Sequence, residues 1–241
     1  MATFVLVPGA WIGGWIWRKV TPQLRAAGHD VYPVSLTGLA ERSHLTSPSI
    51  DLDTHIEDVV NLLKFEDLHD VVLLGHSYAG LVITGVAERA PERLRRLVYL
   101  DAAVPHDGAS LFDVNGPLFQ SVVEESARRD GEGWCWPLPD AETFATYNNV
   151  TDWTEADLRW FRQYAVPQPI ETFRQPLRLA DARAAALPRT YIFCSASPVP
   201  PAPFVEPLRS ALGWDFTELP TGHYPMITLP HDVARILLGT V

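Results

Sequence analysis

The stretch Gly75-His76-Ser77-Tyr78-Ala79-Gly80 separates one apolar run, residues 71–74, from a second that starts at Leu81. A serine on a tight strand-to-helix turn has strained backbone angles and an exposed Oγ, which suits it to attack an acyl carbon. The N–H of the next residue, Tyr78, then points at the same spot from the helix start. Ala79 stands where the pattern usually has glycine, with Gly80 just after it. Such a serine needs a general base, a carboxylate that orients the base, and a second N–H for the developing oxyanion. A Gly-x-Ser-x-small match is common by chance, so the surrounding elements carry the weight.

Those elements alternate. Residues 3–7, TFVLV, read as a buried strand, and residues 14–28 as a helix with Trp17, Val20 and Leu24 on one face and Gly28 as its stop. Residues 30–36 are a second strand. Residues 51–66 form an amphipathic helix with Ile56, Val59, Val60 and Leu63 inward. The strand at 70–75, the helix from 79 ended by Pro91, and the strand LRRLVYLDA complete β-α-β-α-β-α-β. Continuous apolar strands joined by helices are parallel and buried on both faces. From 105 to 183 the rhythm breaks into helical fragments among Pro, Trp and Gly, with no convincing strand, and it resumes at RTYIFCS. Residues 1–104 and 184–241 are therefore expected to form the core, with 105–183 as a mainly helical cap over the site.

A net charge of −10 and the lack of a basic run exclude nucleic acid and anionic membrane surfaces as partners. There is no signal-peptide pattern and no apolar run of roughly 18 residues, and Cys135 and Cys194 have no metal spacing, so a cytoplasmic chain with reduced thiols is expected. Nothing in the sequence fixes an oligomeric state. No phosphate-binding glycine motif is present, and no cofactor or metal is expected.

Beyond these readings, the segments FVLVPGAWIGGWIWRKV, LTGLAERSHL, LDTHIEDVVNLL, LLGHSYAG, LVYLDAAVP and TGHYPMITLP resemble the α/β-hydrolase fold. Within it they resemble the small esterases related to plant methylesterases, the salicylate-binding esterase and hydroxynitrile lyases. The resemblance implies an α/β core of about six mostly parallel strands flanked by helices. It implies a triad in the order serine, acid, histidine. The histidine belongs in a late loop, where Gly222-His223 matches the family's Gly-His motif and His231 reads as a helix-start residue. Most relatives have an Asp just after the strand that reads TYIFC here, but this chain continues SASPVPPAPF, with Ser197 at the usual acid position. Asp101, closing the strand after the nucleophile helix, is the replacement. Lipases of the pancreatic type and the zearalenone lactonase resemble this arrangement, and both strand ends open on one sheet edge. Glu206 and the absence of any acid remain as alternatives. The loop after the first strand, normally His-Gly-x, reads Pro8-Gly9-Ala10, which makes the Ala10 N–H the second oxyanion donor.

Trp11, Trp134, Trp136, Trp153 and Trp160 are candidates to line an apolar pocket, with Gly9 and Tyr224 beside the substrate, while Trp15 and Trp17 pack the first helix. Hydroxynitrile lyases place Thr and Lys where this chain has Gly9 and Tyr224, and related enzymes with an Asp nucleophile lack the serine. The expectation is a serine hydrolase acting on a small hydrophobic, aromatic ester or lactone through an acyl-serine, with catalytic Ser77, His223 and Asp101. Two other readings stay open: a lyase or cyclase that uses His223 as base, and a hydrolase-like receptor with poor turnover.

Overall fold

Six parallel strands form the sheet of the computed structural model, in the order β2-β1-β3-β4-β7-β8. The described residues are 1–148, 150, 152–196 and 203–241. Ser197 lies outside them. The first half runs β1 (Thr3–Val7), α1 (Thr21–Ala26), β2 (Asp30–Pro33), α2 (Leu52–Phe65), β3 (Val71–His76), α3 (Ala79–Arg89) and β4 (Leu94–Leu100). Residues 105–183 hold α4 (Leu111–Asn115), α5 (Pro117–Asp130), β5 (Cys135–Trp136), α6 (Ala141–Asn148), α7 (Glu155–Tyr164), β6 (Gln168–Pro169) and α8 (Glu171–Arg174), and α9 (Ala182–Ala186) crosses the end of that inserted stretch. The core resumes with β7 (Arg189–Cys194), α10 (Val205–Leu208), β8 (Trp214–Leu219), α11 (Pro225–Thr228) and α12 (Pro230–Leu238).

The apolar runs become the central strands because helices cover both sheet faces. Every residue of β3 is buried, whereas the edge strand β8 alternates toward solvent. Asp51 starts α2, its carboxylate accepting the Thr54 N–H at 2.9 Å. Ile56, Val59 and Leu63 are buried on the inner face, Val60 is half-buried, and His55 is buried among them.

Three expectations change. The helix read over 14–28 divides into a 3₁₀ segment, Gly14–Lys19, and α1. Pro22 has no N–H to continue an α-helical ladder from the preceding turn. The second strand stops at Pro33 instead of reaching Leu36, because Ser35 Oγ turns aside to accept the Gly14 N–H at 2.8 Å and meets the Glu41 carboxylate at 2.9 Å. The inserted stretch contains a short antiparallel pair, β5 with β6, where no strand was expected.

Aromatic rings join the inserted stretch to the core. Trp15 meets Trp160 at 4.8 Å, Trp11 meets Trp136 at 4.2 Å, and Phe144 meets Tyr224 at 5.9 Å between ring centres. Cys135 and Cys194 are buried and unpaired. Among the described residues, no helix is long and apolar enough to cross a membrane.

Candidate active site

β3 ends in a turn that holds Ser77 in the left-handed region, φ 56°. Small residues are required around it because backbones meet there. A Cβ on Gly75 would lie 2.6 Å from the Ala79 carbonyl oxygen, and one on Gly80 would lie 1.9 Å from that of Ala103. Ser77 N–H donates to Leu100 O at 3.2 Å, and Ala103 N–H donates to Ser77 O at 3.1 Å. The serine turn and the loop after β4 are thereby locked to each other.

Asp101 opens that loop, also with a positive φ, 45°. Its N–H donates to Ile192 O at 2.8 Å, its Oδ1 accepts the Cys194 N–H at 3.1 Å, and its Oδ2 lies 2.6 Å from His223 Nδ1. The ionised carboxylate only accepts, so His223 Nδ1 carries the proton and Nε2 keeps a lone pair. The backbone of His223 is held too. Its N–H donates to Asn148 O at 3.1 Å, and its carbonyl accepts from His76 Nε2 at 2.7 Å. His76 is fully buried, and burial, helped by the neighbouring His223, holds its pKa well below the ordinary histidine value. Burial and then the Asp101 charge push the Cys194 thiol well above its usual range.

Ser77, Tyr78, Asp101, His223 and Ala10 line one cavity of about 450 Å³. Ser77 and His223 line the same cavity, and no hydrogen bond joins their side chains among the described residues; such contacts commonly tighten when substrate binds. The amides of Ala10 and Tyr78 donate to no acceptor among the described residues. Apolar groups from the inserted stretch and the strand ends close the rest of the cavity, including Trp11, Trp136, Phe144, Phe173 and Phe193, with Asn115 and Asn148 as polar points.

The alpha/beta hydrolase family profile matches residues 4–236. The chain belongs to the alpha/beta hydrolase family. A carbendazim hydrolyzing esterase of Nocardioides sp. is 38% identical over 98% of this chain and 98% of its own. The polyneuridine aldehyde esterase of Rauvolfia serpentina is 24% identical over 98% of this chain and 94% of its own. An extracellular alpha/beta-hydrolase of a Paenibacillus species, described as sharing structural and functional homology with tobacco salicylic acid binding protein 2, superposes with a TM-score of 0.85. It is 26% identical, over 100% of this chain and 99% of that one.

In this hydrolase Trp11, Trp136 and Tyr224 line the cavity, whereas Gly9 and Trp134 do not. Gly9 lies behind the serine, where a Cβ would sit 2.9 Å from both Ser77 Cβ and His76 Nδ1, so it provides clearance. Trp134 turns outward, its indole N–H reaching the Glu132 carboxylate at 3.4 Å. Trp153 and Trp160 also stay outside, packed on Phe161 and Trp15. Glu206 pairs with Arg209 at 2.9 Å on the surface, with 77% of its side chain exposed, and does not reach His223. Sequence reasoning passed over His55 and Gln168. A histidine on the apolar stripe of α2 was the available signal for the first. Gln168 gave none.

Proposed function

We propose that this hydrolase is a serine carboxylesterase acting on small esters that carry an aromatic group. Ser77 Oγ attacks the ester carbonyl while His223 Nε2 takes its proton, and the Ala10 and Tyr78 amides receive the oxyanion. Asp101 holds the His223 tautomer and balances the imidazolium. The proton then passes to the departing alkoxide. Water, activated by the same Nε2, cleaves the acyl-serine and restores the hydroxyl. Residues 105–183 serve as the cap that excludes bulk water and shapes the pocket.

The observation that carries this reading is the 2.6 Å contact between His223 Nδ1 and Asp101 Oδ2 at the wall of the cavity that also holds Ser77. Aromatic lining on both the core and the inserted side supports the substrate class, as does the name of the Nocardioides relative. A carboxylate at His223 Nδ1 also supports the acyl-transfer reading over one in which His223 acts as a lone base. Incubation with a p-nitrophenyl ester and mass spectrometry of the quenched protein test the proposal. An acyl adduct on the peptide containing Ser77, and loss of turnover in a folded Ser77→Ala variant, are expected. Unchanged turnover in that variant would overturn it.

A further inference from the structure

Beyond the cavity runs a buried set of polar side chains that the proposed reaction does not use. Gln168, from the inserted stretch, is fully buried. Its Oε1 accepts the Trp11 N–H at 3.3 Å, and its Nε2 donates to Thr172 Oγ1 at 2.9 Å. Thr172 Oγ1, equally buried, donates to Pro169 O at 2.5 Å, which fixes the hydroxyl that orients the amide. A second buried set holds the phenol of Tyr78. That phenol donates to His55 Nδ1 at 3.0 Å, since His55 Nε2–H is committed to Thr37 O at 2.9 Å. Buried polar side chains therefore grip both Tyr78, which carries one of the two free amides, and Trp11, whose peptide nitrogen follows Ala10, which carries the other.

Trp11 is held from the inserted stretch at every polar atom. Its carbonyl accepts the Val166 N–H at 2.9 Å, and its indole N–H donates to Trp136 O at 3.0 Å. Its backbone sits at φ 67°, a conformation that a bulky residue keeps only when its surroundings impose it. Without Gln168 the Trp11 N–H would be a buried donor with no partner, and rotation of the Ala10–Trp11 peptide would relieve it. The Ala10 N–H belongs to the preceding peptide unit, and the rotation reaches it through the Cα of Ala10. An oxyanion donor must hold its place to within about 0.5 Å to be effective.

We infer that Gln168, oriented by Thr172, is a positioning residue that sets the Ala10 amide of the oxyanion hole through Trp11, so that the inserted stretch completes the catalytic centre as well as covering it. The inference rests on the acyl-transfer reading, and its test separates the two. Gln168→Met removes both hydrogen bonds at similar volume, Thr172→Val removes only the hydroxyl that aims the amide, and Thr172→Ser returns it. Each is compared with wild type for p-nitrophenyl ester hydrolysis, and for inhibition by an aryl trifluoromethyl ketone, which forms a hemiketal oxyanion, and by the matching unreactive aryl alkane.

Gln168→Met is expected to lower kcat by about tenfold or more, below the full loss of a donor. KM and the alkane affinity stay within about threefold, and the ketone affinity falls in step with kcat. Thr172→Val shows the same pattern more weakly and Thr172→Ser recovers it; this pair carries the test should Gln168→Met fail to fold. An unchanged kcat, or equal losses for ketone and alkane, would overturn the inference. A Ser77→Ala variant that still turns over the ester would instead remove the reading beneath it.

Discussion

At position 101 one carboxylate meets two N–H donors from different elements, and this decides what an amide there would do. Cys194 N–H must find an acceptor at Oδ1, because that amide sits at the end of a buried strand. Asp101→Asn would therefore keep its carbonyl toward Cys194 and turn its NH₂ toward His223. His223 Nδ1 would then have to accept, which moves the ring proton to Nε2 and leaves no lone pair for Ser77. The expected outcome is a fall in kcat of about 10⁴ with little change in melting temperature, by analogy with the same substitution in serine proteases. Glu206→Gln, at an exposed ion pair with Arg209, should leave kcat within about twofold. Steady-state kinetics and thermal melts on the two variants check both. An Asp that closes an apolar strand is legible in sequence because it is costly to bury without a task. Of its two partners, His223, 122 positions away, was reachable only through the resemblance of Gly222-His223 to a family motif, and the Cys194 amide, 93 positions away, was not legible at all.

Where α3 begins, its backbone presses on the loop after β4. The 1.9 Å approach of a built Gly80 Cβ to Ala103 O leaves no room for any side chain, and the Ala103 N–H bond to Ser77 O ties the same two segments. Gly80→Ala must push the loop after β4 away from the serine turn. The expected cost is about 1–3 kcal/mol in urea unfolding, in the range of overpacked cores, together with a lower kcat because Asp101 moves with the loop. A variant with unaltered kcat would show that the clamp does not position the acid. The six strands and most helices could be read beforehand because a strand buried on both faces leaves an unbroken apolar run such as Val71-Val72-Leu73-Leu74. The β5–β6 pair could not, since two residues per strand carry no periodicity. Gln168 was invisible for a related reason. Its partner Trp11 is 157 positions away, and a glutamine in a Pro-rich stretch looks like any surface residue until the chain is folded.

Across the molecule, two histidines are buried in their neutral form, and this makes stability depend on pH in a defined direction. Burial holds the His55 pKa down at about 4. The Thr37 carbonyl and the carboxylates of Asp58 and Asp51 act upward and Arg42 downward. His76 is lowered as well, by burial first and His223 second. In the unfolded chain both titrate near the ordinary histidine value of 6.5. Between about 6.5 and 4 the unfolded state therefore binds more protons, so the contribution is complete above 6.5 and is lost as pH falls through that window. The slope is up to about 1.4 kcal/mol per pH unit for each group, so His55 alone removes about 2 kcal/mol between pH 7 and pH 5. Acidification also relieves the self-repulsion of a chain with net charge −10, which acts the other way. The raw pH profile mixes the two effects, but a comparison with His55→Gln separates them. Glutamine can still accept from the Tyr78 hydroxyl and donate to Thr37 O, and it does not titrate. The stability gap between wild type and His55→Gln, measured by urea unfolding, should move in favour of the variant by about 2 kcal/mol from pH 7 to pH 5. A gap that stays constant over that range would mean that His55 takes up its proton alike in both states, and that burial does not hold it neutral.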